Sequence, residues 1–163
     1  MLTSLSKYTE IVPLFLRVFL GMTMLFSHGI PKLMEPERWE ATGKAMASIG
    51  IGFAPTFWGF MAGATEALGG ALLLLGLFVR PTSAVLIFVL FVAAAQNVMT
   101  AGSLGGGRAH PVDAMAGFIA LLILGAGQYS LDWKFGFAGG ASQRSTGRPA
   151  EVGAVAGRVE PAR

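Results

Sequence analysis

Charged residues cut this chain into four apolar runs, 11–30, 55–79, 81–99 and 112–130, and no run holds more than one permanent charge. A bilayer core about 30 Å thick is crossed by about 20 helical residues at about 1.5 Å each. The first three runs reach that length, and the fourth, which by itself covers 112–128, reaches it with the flanking Tyr129–Leu131. In lipid a helix satisfies every backbone group internally, whereas an open strand edge does not. The pattern predicts an all-α fold, an integral membrane four-helix bundle within residues 1–135. Residues 136–163 are rich in small residues and have no hydrophobic period, so they read as a disordered tail.

Composition supports this. Of 163 residues 53% are hydrophobic and 13% charged, against about 25% charged in soluble domains. The absence of Cys excludes a disulfide framework, a thiolate nucleophile and an iron–sulfur cluster. Two His are too few for a three-His metal site, and no metal site is expected. Gly105-Gly106-Gly107 follows no strand, so no nucleotide or flavin loop is expected. The basic residues behind the net charge of +3 are scattered, which argues against nucleic acid.

Proline punctuates the runs. Pro55, Pro81 and Pro111 stand at run starts, where a missing N–H costs nothing, and Pro31 follows the end of the first. That first run is too long for a signal peptide and leaves through SHGIPKLM, which has no small-residue cleavage site. The connection 31–54 reads either as an amphipathic interfacial helix with Trp39 and Met46 towards lipid, or as an ordinary loop helix. Lys7, Arg80, Lys134, Arg144 and Arg148 fall on one side, with Arg17 just inside it. Lys32, Arg38, Lys44 and Arg108 fall on the other, diluted by Glu35, Glu37 and Glu40. The positive-inside rule then places both termini in the cytoplasm.

A charge within the hydrocarbon costs about 2.5–3.5 kcal/mol on insertion scales, so it should face other helices or water. Arg17, Gly21, Met24 and His28 share one helical stripe. Gly59, Gly63, Glu66 and Gly70 share another, which contains a G-x-x-x-G pair that lets a second helix approach. Asp113, Gly117, Ala120, Leu124 and Gln128 form a third. Arg17 either snorkels to the headgroups or turns inward. Glu66, near mid-span, is either a hydrogen-bonded or Arg17-paired structural group or a proton-handling catalytic group. At the outer ends gather His28, Lys32, Gln96, Asn97, His110 and Asp113. His28, Lys32 and His110 are hydrogen-bond donors beside apolar space, as a quinone headgroup requires; Asn97 and Asp113 read as structural polar residues. A bis-His haem on His28 and His110 would need a supporting motif that the chain lacks. At the inner ends Arg80 and Asp132 are expected to pair as a clasp.

The blocks LFLRVFLGMTMLFSHGIPKL (14–33), EALGGALLLLGLFVRP (66–81) and GAGQYSLD (125–132), in this order, resemble the DoxX family of small bacterial membrane proteins. The resemblance spans about residues 10–135 and implies four transmembrane helices. The matching polar positions are Arg17, Lys32, Glu66, Arg80, Ser130 and Asp132. The family is linked to DoxD, associated with a thiosulfate:quinone oxidoreductase, and to membrane redox assemblies. The resemblance therefore implies a protein of the bacterial inner membrane, a quinone-interacting subunit of a redox system. Any enzymatic role would be as part of a quinone-linked oxidoreductase complex, with a redox partner protein and a homo- or hetero-oligomeric assembly. A non-catalytic scaffold, and a small-molecule transporter acting as an oligomer, are the alternatives.

Overall fold

The structure is a computed structural model and describes residues 11–102 and 110–137. The ten N-terminal residues with Lys7, the Gly105–Gly107 segment with Arg108, and nearly all of the expected tail lie outside the described residues. Within them every regular element is helical, with no strand.

Helix α1, Ile11–Met34, is 24 residues long. It is α-helical over Ile11–Met22, π-helical over Thr23–Gly29 and α-helical again over Ile30–Met34. The expectation that it ends before Pro31 is corrected: the helix continues through the proline. Proline removes one backbone donor and crowds the carbonyl four residues back. The π turns directly before it close on residues five apart and accommodate both effects. Trp39 then donates its indole N–H to Lys32 O at 2.7 Å, satisfying one carbonyl at the end of α1.

The connection holds a 3-10 turn (Pro36–Arg38), helix α2 (Trp39–Gly43) and a second 3-10 turn (Lys44–Ile49). It packs along the next long helix rather than standing apart. Gly43 is buried, and a Cβ on Gly59 would run into the Trp39 carbonyl. The Trp39 ring lies edge-on to Phe60 with centroids 5.1 Å apart. Trp39 and Met46 are thus half-buried against protein.

Helix α3, Pro55–Leu75, begins on a proline and stops at Gly76, whose φ of 68° lies where glycine alone is unstrained. Helix α4, Val79–Ala101, starts after Phe78, a non-glycine residue at φ 51°. Pro81 falls within its first turn. Helix α5, His110–Leu124, has 15 residues, fewer than the expected 112–130. Gly125 and Gly127, at φ 81° and 71°, end it early. A last short helix, α6, covers Leu131–Lys134 and is capped by Ser130, which accepts from Trp133 N.

α1, α3 and α4 are long and apolar enough to cross a membrane; α5 is a shorter apolar helix. α3 packs on α1, α2 and α4, while α5 packs on α4 and α1. The buried centre is Leu20, Met24, Leu73, Leu86, Phe118 and Leu121. Phe15, Phe19, Leu68, Phe91 and Ile123 stay exposed, as lipid-facing residues do. Between helices in lipid the hydrophobic effect contributes little, and close van der Waals approach carries the packing. α1 and α3 meet through such an approach: a Cβ on Gly70 would sit 2.7 Å from Gly21 O.

Candidate functional site

The expected inward stripes of α1 and α3 are found. Arg17, Gly21 and Met24 are buried and His28 is half-buried, and Gly59, Gly63, Glu66 and Gly70 are all buried. The stripe expected on α5 is corrected. Asp113 and Leu124 of that stripe, and Gln128 beyond the helix end, are exposed, and the buried face carries Phe118 and Leu121. Phe118 and Leu121 fill the contact with α4 and α1, and Gly117 of the expected stripe lies close against Leu20. Asp113 stands in the first turn of α5, where its charge suits the helix dipole.

Glu66 is 3% exposed. Its Oε1 accepts a hydrogen bond from Lys32 Nζ at 2.6 Å. The expected pairing with Arg17 is thereby corrected. Arg17 lies at the other end of α1, 1% exposed, and its Nη2 donates to Tyr129 O at 2.6 Å. Arg17 is drawn inward by this backbone carbonyl rather than snorkelling. Lys32 retains 31% exposure of its side chain and bridges the end of α1 to the middle of α3.

The expected clasp of Arg80 and Asp132 does not form. Asp132 accepts from Phe78 N at 2.7 Å and from Val79 N at 2.9 Å. Its carboxylate caps the start of α4, which has no side-chain cap of its own. Arg80 is exposed and directs Nη2 to Ile123 O at 3.4 Å.

His28 and His110 are brought together, with ring centroids 5.2 Å apart. They join α1 to the start of α5. Of the expected group, His28 stands one turn before Lys32 on α1 and against His110 of α5. The two imidazoles meet each other, and Lys32 turns towards Glu66. Asn97 is half-buried near the end of α4.

Beside the ion pair lies a cavity of about 260 Å³. Lys32 and Glu66 stand in its wall, with Trp58, Ala62 and Thr65 of α3, Val85, Val89 and Val92 of α4, and Met46 of the connection. It is slightly smaller than ordinary small-molecule sites of about 300–1,000 Å³. Two wall residues hold buried polar atoms without a hydrogen-bond partner, Glu66 Oε2 and Trp58 Nε1. Neither Trp58 nor the cavity was anticipated. The available signal was the spacing of Trp58, Ala62, Thr65 and Glu66, which places a second stripe next to the glycine face.

The arrangement offers an apolar slot with one acceptor, one indole donor and an ammonium that balances the carboxylate. Among the described residues no group of three or more His, Asp or Glu side chains is placed to hold a metal ion. The family model DoxX matches residues 12–100, which takes in Arg17, His28, Lys32, Trp58, Glu66 and Asn97. His110, Asp113 and Asp132 lie beyond the match. No curated protein and no solved structure matches the chain.

Proposed function

The chain belongs to the DoxX family, and on that premise we propose that it is a quinone-interacting subunit of a redox system in the bacterial inner membrane. The observation that carries this reading is the Lys32–Glu66 pair set in the wall of an apolar cavity among the helices. In this reading α5, extended by the turns to α6, completes a four-helix bundle and both termini face the cytoplasm.

A bound quinone supplies reversible two-electron, two-proton chemistry. The wall suits such a group because it joins apolar side chains to two polar atoms that lack partners, Glu66 Oε2 and Trp58 Nε1. Lys32 has three N–H donors and gives one to Glu66, so it keeps donors for a ring oxygen. Glu66, ionised beside Lys32, takes up a proton from the reduced headgroup and passes it on, while Lys32 balances its resting charge. His28 and His110 link the neighbouring turn of α1 to the exposed start of α5 and pass protons to water there. The chain has no Cys to hold an iron–sulfur cluster, so either a redox partner protein supplies the redox centre or the quinone is the only cofactor. The scaffold and transporter readings lean on free small-residue faces for oligomerisation. Gly59 and Gly63 instead face Trp39, Lys32 and Leu33 of the same chain.

The test is purification in mild detergent, extraction of bound lipid-soluble quinone, and titration with a short-chain quinone. Saturable binding, weakened about tenfold by Lys32→Met and little changed by Asp113→Ala, is expected. Folded protein that neither carries nor binds quinone would contradict the proposal.

A further inference from the structure

We infer that the cavity selects the hydroxyl-bearing, reduced form of its ligand, a quinol rather than the matching quinone, with Glu66 as the residue that discriminates. This rests on the quinone reading above and adds a redox-state preference to it.

Glu66 is 97% buried, and only one of its two carboxylate oxygens has a partner. An ionised carboxylate is an acceptor only. A quinone carbonyl is also an acceptor only, so opposite Glu66 Oε2 it leaves both lone-pair sets facing each other without a proton between. A quinol hydroxyl supplies that proton and makes a short charge-assisted bond. Lys32 directs one N–H to Oε1, and its remaining donors serve a ring oxygen of either redox form, since a hydroxyl and a carbonyl oxygen both accept.

Charge points the same way. Lys32 and Glu66 cancel, so a neutral ligand leaves the wall balanced and an ionic one would bring an unpaired charge into an apolar site. The second orphan atom, Trp58 Nε1, is a donor only. It lies eight residues before Glu66 on the same helix, about 12 Å of rise, towards the other end of the slot. An oxygen substituent there satisfies it in either redox form. Trp58 therefore contributes affinity for both forms, and Glu66 contributes the difference between them.

The experiment uses the full-length protein in nanodiscs and measures equilibrium affinity for a short-tailed quinol and its quinone under anaerobic conditions. Wild type is expected to bind the quinol about tenfold more tightly or better. Glu66→Gln offers amide N–H donors to a carbonyl, so the preference should shrink to within about threefold or reverse. Trp58→Phe should weaken both forms alike and leave the ratio near that of wild type. Size-exclusion profiles identify any variant that fails to fold, and Trp58→Phe carries the test if Glu66→Gln is lost. Equal wild-type affinities, a preference that survives Glu66→Gln, or one that collapses in Trp58→Phe alone would overturn the inference while leaving the quinone reading standing. If neither form binds folded wild type, the quinone reading fails and the inference with it.

Discussion

At the scale of single residues, burial decides which charges matter. Asp132 is 6% exposed and holds two backbone N–H groups where α4 begins in a left-handed residue. Asp132→Ala is expected to cost about 2 kcal/mol, since it leaves both donors without their cap. Asp132→Asn, which keeps one acceptor, should lose less. Thermal unfolding in detergent compares the two. Lys32→Met leaves the Glu66 carboxylate buried and alone, which is expected to cost about 3 kcal/mol. Adding Glu66→Gln should recover most of that loss, and simple additivity in the same melts would speak against direct coupling. The importance of Glu66 and Lys32 was legible from their depth and charge. Their partnership was not. Arg17 was the permanent charge inside the first apolar run, whereas Lys32 stood past Pro31, where that run was expected to end; the helix instead continues through the proline to Met34.

At the scale of elements, apolar run length and proline position were enough to find the three long helices, and their ends moved only where glycine or local pitch intervened. α5 shows the limit. Its composition extends to residue 130, but Gly125 and Gly127 adopt positive φ and stop it. A glycine in an apolar run gives no sign of whether it will break a helix or admit a neighbour. The connection at 36–49 carried the opposite ambiguity, since an amphipathic face serves a membrane surface or a neighbouring helix equally well. Here Gly43 and Gly59 settle it by allowing backbone-to-backbone contact. Gly59→Ala should therefore push α2 off α3, costing about 1–3 kcal/mol and opening the cavity wall at Met46. Gly52→Ala, where an added Cβ meets nothing within 4 Å, should be silent. Paired melting curves with cavity-ligand titration check both.

At the scale of the whole molecule, Arg17 and Glu66 sit between helices while Phe15, Phe19 and Phe91 face outward, a partial inversion of the soluble pattern. That inversion was readable from composition, whereas the cavity needed the fold, because it arises where α3, α4 and the connection fail to fill one space. With no native Cys, single introduced cysteines report topology cleanly. Glu37→Cys is expected to react with an impermeant thiol reagent from outside the cell, and Ala150→Cys only after the membrane is opened. The central claim is that the Lys32–Glu66 pair marks the ligand site. A photoactivatable quinone analogue, mapped by mass spectrometry on protein in nanodiscs, tests it most directly. Adducts concentrated in 58–66 and 85–93, and suppressed by excess unlabelled ligand, are predicted. Adducts spread over the outward rings of Phe15, Phe19 and Phe91 and insensitive to competitor would contradict the account.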